Sequence, residues 1–262
     1  MELSSLLDLR NATDYPIQSS LLLATVGSWL LWSLYLFEVL FHPISSLTTL
    51  LASITRGILG LSAFVATLPA GYLVYLIVNR RNEHFRRSEM LLQAMLARVK
   101  PTIPQTDLAR IFSVGNVERE LWQVALEEKE RSAYLWSLLT LVPYIGGLFL
   151  AYALYRVNND FQKHERSEFA ALGDIQQTVS LTVASPIHSE PGRFGGSWFP
   201  HRNSIFYFLL SVLTVGLFSI YWLDVSIHDP EPHFKAQSQL EDAMKEMITR
   251  LGSNVTPLGS VN

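Results

Sequence analysis

Five side chains stand where metal or polar-ligand chemistry could occur. His84, Asp160, His164, His228 and His233 each follow an apolar run by ten residues or fewer. Imidazole and carboxylate are both ligands for transition metals, so their convergence would make a binding site. Spacing alone does not ask for one. No pair reads His-Glu-x-x-His, and the chain has no cysteine, which excludes thiolate sites, disulfides and cysteine nucleophiles. No metal and no cofactor are therefore expected. The spacing favours a structural joint at each polar knot. In His-Asp-Pro-Glu-Pro-His-Phe, residues 228–234, Asp229 is suited to cap a helix and Pro230 to begin one. Asn82 and Asp160 are placed to act alike, with Phe85, Phe161 and Phe234 each anchoring the next helix.

Other polar residues have plainer readings. Glu38 and Asp224 end apolar runs; ionisable groups at membrane depth are functional candidates, but near the interface they can reach water. Arg80, Arg81, Arg86 and Arg87 form a basic cluster just past a run. They suit contact with anionic lipid headgroups, each charge contributing about 1 kcal/mol at such a surface. Nucleic acid is disfavoured, because Glu83 and Glu89 interleave with the arginines and the net charge is −3. The sequence shows no phosphate loop, nucleophile elbow, paired-carboxylate site or zinc motif. No catalytic residue is expected.

The elements that carry these residues are dominated by hydrophobicity. Of 262 residues, 49% are hydrophobic and 16% charged, against about a quarter charged in soluble domains. Residues 18–41, 57–79, 133–155 and 204–223 are nearly free of charge. Each matches the ~20 residues that cross a bilayer as a helix. The expectation is a multi-pass cell-membrane protein. Residues 1–17 lack the basic start of a signal peptide, so the first run is expected to stay as an anchor.

Three of the runs repeat one pattern. Thr67, Thr140 and Thr214 lie 73 and 74 residues apart, each near a Pro or Gly at mid-run. Phe85, Phe161 and Phe234 lie 76 and 73 apart. Such periods indicate diverged copies of one unit over 56–251. The expected fold is an all-α membrane protein with an N-terminal anchor, three repeat-derived membrane segments and interfacial amphipathic helices. Its divisions are a polar start (1–17), anchor and interfacial helix (18–55), copies at 56–100, 131–175 and 202–251, a cytoplasmic helical segment (101–130), a Pro/Gly-rich loop (176–201) and a disordered tail (252–262).

Two topologies fit this pattern. Straight spans put loop 80–132, with ten Lys and Arg, inside and loop 156–203, with five, outside. Hairpins folded at each Pro/Gly centre would return every run to one side, but bent backbone at that depth must be buried in protein. Straight spans are favoured, because Pro is tolerated in membrane helices. Thr106-Asp107 and Gly115-Asn116 read as helix starts, and Thr178–Ala184 alternates like a short strand. Stripes Phe85, Leu92, Leu96, Val99 and Leu240, Met244, Met247, Leu251 keep helical spacing.

The third copy, "TVGLFSIYWLDVSIHDPEPHF", resembles a family of small prokaryotic membrane domains with Thr-x-Gly-(Ile/Leu)-(Tyr/Phe)-x-x-Tyr-Trp before a His-Phe segment. Thr214, Gly216, Phe218, Tyr221, Trp222, Asp229, His233 and Phe234 occupy the matching positions. The resemblance implies a prokaryotic cell-membrane domain and brings no activity. The expected function is a non-enzymatic structural or accessory subunit, contacting the lipid bilayer and other membrane subunits or itself. The alternative is a component of a transport or translocation system, since Pro- and Gly-interrupted helices in repeats can line a pathway.

Overall fold

The computed structural model describes residues 3–41, 49–143, 145–182 and 198–254. Among them every regular element is helical. Two short helices, α1 (Leu3–Asp8) and α2 (Arg10–Thr13), precede the apolar α3 (Ser20–Phe41). Helix α4 (Thr49–Val99) runs 51 residues without a break. A 3₁₀ turn (Lys100–Thr102) leads to α5 (Leu108–Glu127), where Asp107 accepts the Arg110 N–H as cap. Then come α6 (Ala133–Thr140), α7 (Gly146–Thr182), α8 (Ser204–Leu213), α9 (Leu217–His228) and α10 (Pro230–Asn254).

Helices α3 and α4 are long and apolar enough to cross a membrane. Leu23, Leu34 and Leu40 on α3 and Ile58, Leu61 and Val65 on α4 are exposed. Such apolar surface suits lipid better than water. Glu38 pairs with Arg56 at 3.7 Å, joining the C-terminal end of α3 to the N-terminal part of α4.

Straight spans fail for the second and third runs. A helix rising ~1.5 Å per residue would put Arg131 and Asp160 about 40 Å apart. Instead Arg131 grips Asp160 at 2.6 and 3.1 Å, and Arg202 grips Asp229 at 2.6 and 2.9 Å. Each run therefore folds back on itself. The N-terminal arms are matched: Ser132 and Asn203, each next after its arginine, cap the N–H three residues on. In the third run Val215 and Gly216 make the turn with φ of 50° and 87°. The Trp29 indole of α3 donates to the Val215 carbonyl at 3.1 Å, fastening the tip. The first run behaves differently. Pro69 lies inside unbroken helix, and its hairpin partner is α3, the segment placed outside the repeat.

Other expectations are corrected. Residues 49–55 do not form a separate interfacial helix; they are the start of α4, which is helical from Thr49. Gly115-Asn116 lies within α5, and residues 178–182 are helix, not strand. Residues 183–184 and Leu251's side chain lie outside the described residues, as do most of the loop 176–201 and most of the tail. The remaining stripe residues are buried as predicted. All but Phe85 join Leu91, Met95, Val117 and Ile175 in a polar-half core. A second core, with Leu73, Ile77, Leu154, Trp222 and Ile227, fills the apolar half. The candidate site lies where the two cores meet.

Candidate metal centre

The three knots converge. Phe85 and Phe161 meet edge to face at 5.2 Å between ring centres, and Phe161 and Phe234 at 6.0 Å. Beside them the rings of His84, His164 and His233 lie 5.2, 5.4 and 5.9 Å apart, centre to centre. One nitrogen from each of the three falls within 4.8 Å of the others. All three residues are 2% exposed or less.

The joint reading of the knots is overturned for the first two. Helices α4 and α7 pass through Asn82 and Asp160 unbroken, so neither caps a helix end. Only the third knot interrupts the backbone, and only at Asp229, whose carboxylate is held by Arg202. Continuous helices explain the convergence. Helices α4, α7 and α10 pack together, and each delivers one histidine to a common interior point.

Two rings are hydrogen-bonded from behind by a carboxylate, and the third has a carboxylate nearby. His84 Nδ1 meets Asp14 Oδ1 at 2.7 Å, and His164 Nδ1 meets both Glu128 oxygens at 3.0 Å. His233 Nδ1 stands 3.6 Å from Glu165 Oε1. That oxygen also accepts the Trp198 and Phe199 N–H groups at 2.7 and 2.8 Å, fixing its position. A carboxylate behind an imidazole, orienting the ring and raising its basicity, is the arrangement found around protein-bound metals.

Several other atoms of these groups have no hydrogen-bond partner among the described residues. His84 Nε2, His164 Nε2, both His233 nitrogens and Glu168 Oε2 are buried without a hydrogen bond. Glu168 Oε2 lies 3.7 Å from His164 Nε2 and 3.6 Å from His233 Nε2. Its other oxygen is occupied by Ser88 and Gln237. Each orphaned buried polar atom costs roughly 1–3 kcal/mol. Several lie at one point, a cost that a bound ligand would relieve.

Electrostatics favour a cation there. Complete burial, which outweighs Asp14, pushes His84 down to about 3, leaving a neutral ring with a free lone pair. Burial also opposes charge on His164, but Glu128 and Glu168 outweigh it and its pKa is raised. Burial likewise opposes charge on Glu168, yet His164, His233 and His84 outweigh it and hold its carboxyl below the usual range. Glu128, Glu165 and Glu168 thus bring three nearly buried carboxylates around three rings.

The other predicted residues are placed elsewhere. Asp160 is a clamp between Arg131 and Arg81. His228 is partly exposed and pairs with Asp224 at 3.3 Å, and Glu38 is occupied at the far end of α3. The lipid-headgroup reading fails for three of the four arginines. Arg80, Arg81 and Arg87 are 1% exposed; only Arg86 is on the surface, paired with Glu83. Arg80 donates to the Ile227 and Ser226 carbonyls at 2.7 and 3.4 Å. Pro230 lacks the N–H that would serve Ser226, so Arg80 supplies a donor where the sequence removed one. Arg87 binds Glu241, Asp14 and Thr13.

Sequence reasoning missed Asp14, Glu128, Glu165, Glu168 and Gln237. One local signal existed: His164 and Glu168 are four apart and share a helix face. No protein-family model, curated protein or solved structure matches this chain.

Proposed function

We propose that this is a membrane-anchored metalloprotein that sequesters one divalent transition-metal ion in its polar half, bound by His84, His164, His233 and Glu168. The carrying observation is the set of buried, partnerless nitrogens on three carboxylate-backed histidines. Three imidazoles and a carboxylate suit zinc first, and after it other borderline divalent ions. Metal–nitrogen bonds of about 2.0–2.1 Å require the rings to draw in slightly. Four protein groups, all nearly fully buried, make a closed site. Closed sites hold an ion, whereas catalytic ones keep a position open. The protein is thus read as non-enzymatic, in a cell membrane of the prokaryotic type implied by the third copy.

Metal analysis of protein purified without an affinity metal tests this. About one equivalent per chain is expected, with cobalt substitution giving the spectrum of a four-coordinate ion. His164→Ala together with His233→Ala should abolish uptake. Wild-type protein that takes up neither zinc nor cobalt at micromolar concentration would refute the reading.

A second reading, the accessory subunit, has its own support. Leu108, Phe112, Trp122 and Leu126 form an exposed apolar stripe on α5. Self-association through this stripe would cover it. Native mass spectrometry of detergent-extracted protein should then show a dimer that Phe112→Ser together with Trp122→Ser dissociates; a monomer throughout would end this reading.

A further inference from the structure

A metal centre this deeply buried needs a route for its ion. Its four groups are each 2% exposed or less, and the apolar core closes it on the membrane side. On the other flank, between α4 and the end of α5, lies a cavity of about 160 Å³. Asn82, Phe85, Arg86, Glu89, Ala125 and Glu128 line it, together with Lys129 and Glu130. Two of these residues also touch the centre. Glu128 hydrogen-bonds His164 Nδ1, and the Phe85 ring stacks on the His164 ring at 4.0 Å and 15°. One carboxylate and one aromatic ring thus stand between a polar vestibule and a ligand histidine.

We propose that this vestibule is the entry and exit path of the metal ion, with Glu128 as its gate. The inference rests on the metal reading above. Glu89, Glu128 and Glu130 offer carboxylates in succession, as a cation needs when it sheds water. Arg86 and Lys129 oppose them, but Arg86 is bound to Glu83. Burial raises the Glu89 pKa, and the nearby charge of Glu128 adds to the rise. With Glu128 on His164 the path is shut. When Glu128 turns outward it can meet an incoming ion, and the His164 ring it releases is free to swing aside and admit that ion to its Nε2 side. The centre is then loaded without opening the helical bundle.

Two variants test this through opposite effects on exchange. Ala125 is exposed, so Ala125→Trp fills the vestibule without removing a polar group or a core contact. It should slow both zinc loading of the apoprotein and zinc release to excess chelator by tenfold or more, while binding stays at one equivalent. Glu128→Gln weakens the support of His164. Losing such a carboxylate typically costs 10–100-fold in affinity, so release should accelerate by about that factor. Protein that binds one zinc but exchanges it at unchanged rates in both variants would overturn the path and leave the centre standing. Wild-type protein that binds no zinc would overturn both.

Discussion

Replacing Arg87 by Met should destabilise the bundle by about 3–5 kcal/mol, the range seen when one member of a buried ion pair is removed. Arg87 donates to Glu241 at 2.8 and 3.0 Å, to Asp14 at 2.9 Å and to Thr13 at 2.9 Å. Arg87 and Glu241 are each 1% exposed along their side chains. Without the guanidinium, Glu241 keeps only Arg10, at 2.6 Å, while Asp14 keeps His84. Met fills much of the same volume, so the loss is mostly the stranded charge. The control removes that charge too. Arg87→Met with Glu241→Leu should cost less than Arg87→Met alone, because a neutral pair needs no solvation. Equilibrium unfolding in detergent would measure both, read as midpoints at constant slope. Burial, outweighing Arg87 and Arg10, already raises Glu241 above the ordinary carboxylate range. In the Met variant it rises further, so the folded state holds a proton that the unfolded state has released. Stability is then lost as pH climbs through the folded pKa, and the variant should lie closest to wild type in acid. A single variant within 1 kcal/mol of wild type at neutral pH, or a double variant equal to the sum of the singles, would refute the buried-network account.

Adjacent glycines at the second hairpin should respond in opposite ways. A Cβ on Gly146 would stand 2.1 Å from the Thr140 carbonyl oxygen, while one on Gly147 meets nothing within 4 Å. Gly146→Ala should cost about 1–3 kcal/mol or more, and Gly147→Ala should be neutral or stabilise by up to ~1 kcal/mol, both by thermal unfolding. Single cysteines in this cysteine-free chain test the topology. Gly57→Cys should label from one side of the membrane, and Lys163→Cys, His201→Cys and Lys235→Cys from the other; straight spans would instead put 57, 163 and 201 on one side and 235 on the opposite one. Arg80→Met should destabilise by roughly 2–4 kcal/mol in the same unfolding assay, since it strands the Ile227 and Ser226 carbonyls; a cost below 0.5 kcal/mol would mean that water reaches them.

The sequence by itself determined the helices and their character. The stripe of Leu92, Leu96 and Val99 and the Asp107 cap depend on local periodicity and local hydrogen bonding, and these survive in the fold, whereas of the four charge-free runs of bilayer length only the first two stay within single helices. The similar spacing of Phe85, Phe161 and Phe234, 76 and 73 residues, also pointed to residues that meet. What each knot does depended on two matters that spacing does not encode. The first is whether a run goes on or turns back. Pro69 sits in unbroken helix while Val142-Pro143 and Val215-Gly216 lie at turns, because only the latter are closed by Arg131–Asp160 and Arg202–Asp229. Those partners are 29 and 27 residues apart, beyond any helical period. The second is which distant groups face a histidine. Asp14 reaches His84 across 70 residues and Glu128 reaches His164 across 36. A metal motif is visible in sequence when one helix carries several ligands. Here three helices each bring one histidine, and only their packing decides that the nitrogens share a point.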